Sequence, residues 1–192
     1  YFSKALVGGS RGIKDYDFIS AEDFGKVMNS VAKLTATDDS HVYLMLSGAR
    51  TAQADMRKYV EAARKAGFKI VKTGKYQKTF QDGKAVTNVR GETAEAEQLY
   101  LLTKSGKARK GETEIEMNFS AVRPTVGKSY STQKANSFIN GLIRQSTKRG
   151  ESVLDPFAGS GVSGVEAVKE NRTVTLIDKS EKAVSDFIKP NL

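Results

Sequence analysis

Phe24, Val27, Met28, Val31 and Leu34 recur at three- and four-residue spacing, which places side chains on one face of an α-helix. The spacing predicts a helix over residues 21–35, with Ser20 and Asp23 forming a capping box at its start. Val42-Tyr43-Leu44-Met45-Leu46 is instead a continuous apolar run ending at Ser47-Gly48, the pattern of a strand covered on both faces. A second helix, at about 52–66, turns Met56, Tyr59, Val60 and Ala63 inward and stops at Gly67. Phe68-Lys69-Ile70-Val71 and Gln98-Leu99-Tyr100-Leu101-Leu102 read as further strands. Residues 8–17, with three glycines among polar side chains, have nothing to bury and read as a basic loop. Ser105 to Gly127 reads as a long surface insertion, within which Glu112 to Phe119 alternates weakly like an exposed strand. Helical spacing resumes over Thr132 to Lys148 through Ala135, Phe138, Ile139, Leu142 and Ile143. A last amphipathic helix, Glu181 to Ile188, rests on Val184, Phe187 and Ile188. The chain shows no internal repeat and no low-complexity linker.

Between these last two helices, Glu151-Ser152-Val153-Leu154-Asp155 runs straight into Pro156-Phe157-Ala158-Gly159-Ser160-Gly161. An apolar strand, a glycine turn and a helix in succession make a cofactor site, because glycine lets the backbone approach a ligand and the helix start offers unpaired N–H groups. Asp155 ends the strand, where open α/β sheets bind their ligands. The strand Thr173-Val174-Thr175-Leu176-Ile177 ends on Asp178, placed to accept hydrogen bonds from two ribose hydroxyls. The result is a β-α-β unit with an acid at each strand tip, and an α/β fold.

Composition narrows the partners. The 192 residues hold 31 Lys+Arg against 22 Asp+Glu, a formal charge of +9, which in a folded domain points to a polyanion, most simply nucleic acid. The length suits one domain with a single α/β core. Cysteine is absent, so there is neither a disulfide framework nor a thiolate metal site, and no metal is expected. No apolar run approaches the ~18 residues of a membrane span. Residue 1 is Tyr, and the chain is read as starting inside a longer protein.

The Asp-Pro-Phe-Ala-Gly-Ser-Gly of residues 155–161 resembles the S-adenosylmethionine motif of amino-group DNA methyltransferases rather than the Gly-x-Gly-x-x-Gly of dinucleotide enzymes. The order of the elements resembles the circularly permuted β class of that family, in which the catalytic half comes first and the cofactor half last. The resemblance covers nearly the whole chain and implies a Rossmann-like methyltransferase sheet with helices on both faces. It divides the chain into a catalytic half (1–104), a short insertion or target-recognition loop (105–130) and a cofactor half (131–192). It assigns S-adenosylmethionine to Asp155, Phe157, Ala158, Gly159, Ser160, Gly161 and Asp178. Ser131-Thr132-Gln133-Lys134 resembles the family's Pro-Thr-Gln-Lys, with Ser131 in place of Pro and Tyr130 in place of the usual preceding His. That match adds Thr132 and Lys134 near the methionine end. Glu97 to Lys104 resembles the family's late-strand motif.

One departure concerns the catalytic tetrapeptide, Asp/Asn/Ser-Pro-Pro-Tyr/Phe/Trp in the family. No Pro-Pro occurs in the sequence, but Tyr1 lies where the aromatic of that motif falls, immediately before the Gly-rich loop. Five strands are read where the implied fold has seven. Removing the central one leaves a gap of about 5 Å with unpaired backbone on both sides. The expectation is that residues before Tyr1, or another chain, supply the central strand and its neighbour.

The chemistry implied is methyl transfer to an exocyclic amino nitrogen, adenine N6 ahead of cytosine N4. Its lone pair is delocalised into the ring, and oxygen acceptors localise it while an aromatic face clamps the flipped base. Tyr1 is the candidate clamp, with Phe2 as fallback. The route to 5-methylcytosine needs a cysteine nucleophile, which the chain lacks. Arg11 and Lys14 in the early loop and Lys104, Lys107, Arg109 and Lys110 in the late insertion are the expected DNA phosphate contacts. A cytoplasmic, prokaryotic or phage-encoded enzyme of restriction-modification type follows from the resemblance, with a homodimer or partner subunit left open. The competing readings are a non-catalytic nucleic-acid-binding subunit of the same fold and a cytosine-N4 or RNA methyltransferase. A dinucleotide-dependent oxidoreductase is disfavoured by the glycine spacing.

Overall fold

The structure, a computed structural model, describes residues 19–46, 53–87, 96–122 and 133–189. Tyr1, Phe2, Arg11, Lys14 and Thr132 lie outside the described residues. The chain divides into two compact units, Tyr1–Tyr76 with Glu95–Ala108, and Gln77–Ala94 with Arg109–Leu192.

The first unit holds α1 (Ala21–Leu34), β1 (Val42–Leu46), α2 (Gln53–Lys65), β2 (Lys69–Thr79, which runs past the unit boundary) and β3 (Glu97–Thr103). Ser20 caps α1 as its sequence suggests, its hydroxyl accepting the Asp23 N–H at 3.0 Å. Phe24 and Met28 are the buried side of that helix. Phe24 meets Tyr59 of α2 edge-on, with ring centroids 5.4 Å apart, and the Tyr59 hydroxyl donates to the Ile19 carbonyl at 2.8 Å. β3 is central and antiparallel to both neighbours, with Val42 opposite Leu102 and Leu46 opposite Gln98 on β1, and Lys69 opposite Thr103 on β2. Covered on both faces, its Leu99, Leu101 and Leu102 form the core.

The strand expected at 68–71 is much longer, because β2 slips register between Ile70 and Lys72 and continues to Thr79. The extension, Lys72-Thr73-Gly74-Lys75-Tyr76-Gln77-Lys78-Thr79, is polar in sequence yet carries the fully buried Tyr76. Backbone pairing with β3 holds it extended where no apolar run announces a strand.

The second unit contains β4 (Asn118–Val122), α3 (Asn136–Ser146), β5 (Ser152–Asp155), α4 (Val162–Lys169), β6 (Thr173–Leu176) and α5 (Glu181–Ala183), the last continuing as a π-helical turn over Val184–Ile188. β5 and β6 are parallel, with Ser152 opposite Thr173 and Asp155 opposite Leu176. Among the described residues, β5 has one strand neighbour, β6, and β1 has one, β3. The helix expected from Thr132 begins only at Asn136, with Ala135 extended at its N-cap.

The stretch read as a surface insertion is in part built into this unit. Gly111 is buried against the last turn of α3, and the Glu112 N–H donates to the Arg144 carbonyl at 2.8 Å. The side-chain amide of buried Gln145 pairs with the Glu116 backbone in both directions, accepting its N–H at 2.9 Å and donating to its carbonyl at 3.0 Å. These bonds satisfy backbone groups that a free loop would leave to water, and the strand expected at 112–119 forms one turn later as β4. Arg172, fully buried in its side chain, joins the same region. Its guanidinium donates to the Thr147 carbonyl at 2.7 Å and to the Glu170 carbonyl, and pairs with Glu112 at 3.1 Å.

Candidate functional site

β5 delivers Asp155 to the mouth of the glycine turn, and both its carboxylate oxygens are engaged. One accepts the Phe157 N–H at 3.0 Å, closing a local turn. The other accepts the Ser163 hydroxyl at 2.5 Å, a short charge-assisted bond that ties the strand tip to the first turn of α4. Gly159 and Gly161 have φ of 52° and 74°, a left-handed backbone that glycine adopts without strain. Gly161 is the N-cap of α4, and a Cβ there would lie 3.2 Å from Ile188 Cγ1. The turn is thus packed directly on the π-helical segment.

Asp178 completes the arrangement from β6. Its Oδ2 accepts the Gly159 N–H at 2.8 Å and its Oδ1 the Ser180 N–H at 2.8 Å. A carboxylate has about four acceptor sites, so each oxygen keeps capacity for a ligand hydroxyl. The backbone ladder continues through the turn, with Ile177 N–H to Asp155 carbonyl at 2.9 Å and Ala158 N–H to Ile177 carbonyl at 3.0 Å. Ile177 itself is 52% exposed, an apolar surface next to the acid.

Behind the turn, α4 is fixed to α3 by Glu166. This buried carboxylate accepts the Asn136 amide at 2.7 Å, the Asn140 amide at 3.2 Å and the Lys169 ammonium at 2.8 Å. Burial pushes its pKa up, but hydrogen bonds from Lys169, Asn136 and Asn140 outweigh burial and hold it below the ordinary glutamate value.

Of the residues assigned from sequence, Asp155, Phe157, Ala158, Gly159, Ser160, Gly161 and Asp178 are gathered in this one cradle. Lys134 is buried, two positions ahead of α3. The expected DNA contacts separate into two kinds. Lys104 pairs with Asp38 at 3.2 Å and donates to the Ala32 carbonyl at 3.3 Å, and Arg109 pairs with Glu151 at 2.5 Å. Each of these two cations faces an acid of its own unit. Lys107 and Lys110 are exposed, Lys110 within 3.2 Å of Glu114. Sequence reasoning missed Ser163 and Ile177. The only signal for Ser163 was a hydroxyl at the second position of the helix after the turn, and Ile177 looked like one more core residue of its strand.

A family model described as DNA methylase, for the N6 and N4 enzymes, matches residues 8–189. No curated protein sequence matches the chain. Among solved structures, the fold is similar to the M1.HpyAVI–SAM complex, at 18% identity over 88% of this chain and 82% of that one, with a TM-score of 0.65. It is similar also to the cytosine-N4-specific PvuII DNA methyltransferase, at 14% identity over 91% and 73%, with a TM-score of 0.67. TTHA0409 of Thermus thermophilus, described as a DNA modification methylase, aligns at 15% identity over 88% and 76%, with a TM-score of 0.66. At these identities the structural likenesses establish a Rossmann-like α/β methyltransferase fold, and the family match over most of the sequence establishes membership. The chain belongs to the N6/N4 DNA methylase family.

Proposed function

We propose that this chain transfers a methyl group from S-adenosylmethionine to an exocyclic amino nitrogen of a base in DNA, with adenine N6 as the first target to test. The observation that carries the cofactor assignment is the Gly159 N–H to Asp178 carboxylate bond at 2.8 Å, which makes the acid of one strand and the glycine turn of the other a single cradle. The donor set fits the cofactor. Two carboxylates with acceptor capacity left suit hydroxyl and ammonium groups, the positive-φ glycines admit close backbone approach, and exposed Ile177 offers an apolar face to an aromatic ring. When bound, the sulfonium supplies an activated methyl group. Asp178 accepts from the ribose hydroxyls, Asp155 holds the turn in register through Phe157 and Ser163, and Lys134 with Thr132 belongs to the methionine end. Tyr1 is assigned to stack on the flipped base, and Arg11, Lys14, Lys107 and Lys110 to phosphates.

Titration calorimetry of the full chain with S-adenosylmethionine tests the reading. Binding is expected, weakened about tenfold or more in Asp178→Ala by loss of hydrogen bonds to a charged acceptor. Absence of heat at millimolar cofactor overturns the assignment.

A further inference from the structure

We infer further DNA contacts on the first unit, made by the outward stripe of α2 and by strand β2 and separate from the loops assigned above. Residues 53–76 carry seven Lys and Arg against two acids, a net +5 within a chain of +9. On α2 the buried Met56, Tyr59 and Ala63 define the inner side, so Arg57, Arg64 and Lys65 fall on the opposite half, where all three are exposed. Arg57 and Arg64 stand seven residues apart, about 10 Å along the helix axis.

On β2 the register slip is decisive. A regular strand puts positions three apart on opposite faces, which would separate Lys69 from Lys72. Here Lys69 is opposite Thr103 and Lys72 opposite Leu101, two residues apart on β3, so both lysines rise from the same face and both are exposed. Val71, the extra residue, produces this pairing of charges.

Among the described residues, Lys26 pairs with Glu22 and Asp23, Lys104 with Asp38, Arg109 with Glu151 and Arg172 with Glu112. Among the described residues, Arg57, Arg64, Lys65, Lys69 and Lys72 have no ion-pair partner. On α2 the exposed Glu61, four residues from both Arg57 and Lys65, offsets part of this charge, and a polyanion neutralises the surplus that remains, releasing its counterions on contact. DNA is the polyanion on which this family acts, and its backbone requires positive charge rather than a shaped pocket.

The test is equilibrium binding of the full chain to a non-specific DNA duplex across a salt series, without cofactor, so that the result is independent of the cradle. Arg57→Gln/Arg64→Gln/Lys65→Gln and Lys69→Gln/Lys72→Gln should each flatten the slope of log affinity against log salt by about 0.9 for every phosphate that is no longer neutralised. Lys69→Arg/Lys72→Arg should retain the wild-type slope. Wild-type slopes in both Gln variants would overturn the proposal. So would a Lys→Arg variant that flattens the slope as far as its Gln counterpart, since charge would then not be the cause. Unchanged DNA binding together with abolished binding to poly-glutamate would likewise overturn it, in favour of an acidic protein partner.

Discussion

Asp178 and Gly159 are joined by a 2.8 Å hydrogen bond from the glycine N–H to the carboxylate, although 19 residues separate them. The acid therefore has a structural duty to the turn before any ligand arrives. Its other oxygen holds the Ser180 N–H at the same distance, which fixes the start of α5.

Asp178→Asn separates the two duties. The amide oxygen keeps one of the two backbone N–H bonds, its NH2 cannot accept the other, and the charge is lost, so stability should fall by about 1 kcal/mol while cofactor affinity falls about tenfold. Asp178→Ala should lose both, leaving the Gly159 and Ser180 N–H groups without their partner. Urea melts and calorimetry on the same samples check this, and wild-type cofactor affinity in Asp178→Asn would refute the ribose role.

Three glycine-to-alanine variants should rank by what the new Cβ meets. Gly150 has φ of 83° and nothing within 4 Å, so Gly150→Ala should cost only the left-handed strain, about 1 kcal/mol. Gly161 adds contacts of 3.2 and 3.3 Å to Ile188 Cγ1 and Cα, and Gly161→Ala should cost about 2–3 kcal/mol. At Gly111 the Cβ would lie 2.4 Å from the Gln145 carbonyl carbon and 2.6 Å from the Arg144 oxygen. These neighbours are helix backbone rather than flexible side chains, so this variant should be the most destabilised in denaturant melts. A mild Gly111→Ala would mean that residues 109–117 do not pack on α3.

Stability should decline in acid through Glu166. Its folded pKa lies below the ordinary value of 4.5, so its contribution is fully present above that pH and is lost as the pH falls through the folded value. Glu151 shifts the same way: burial raises it, but the Lys148 N–H and Arg109 hold it down. Glu166→Gln should flatten melting temperature against pH below about pH 5 relative to wild type. An unchanged profile would remove Glu166 from the acid response.

Elements whose cause is local were legible in the sequence. The capping hydroxyl of Ser20, the apolar face of α1 at Phe24 and Met28, the apolar runs of β1 and β3 and the stop at Gly67 all act through neighbours in the chain and formed where the spacing placed them, whereas Leu34 at the end of that face is exposed. The β-α-β cradle was legible for the same reason, because glycine, acid and strand follow one another within a few residues. The rest depended on contacts between parts of the chain far apart in sequence. Whether Lys104 and Arg109 face solvent or an acid depends on Asp38 and Glu151, and nothing in their own neighbourhood distinguishes them from Lys107. The polar second half of β2 became a strand because β3 offered it a backbone ladder. The slip at Val71 that sets Lys69 and Lys72 on one face is a property of that pairing, and the residues of β2 taken alone carry no record of the register in which β3, more than twenty residues further on, will bind.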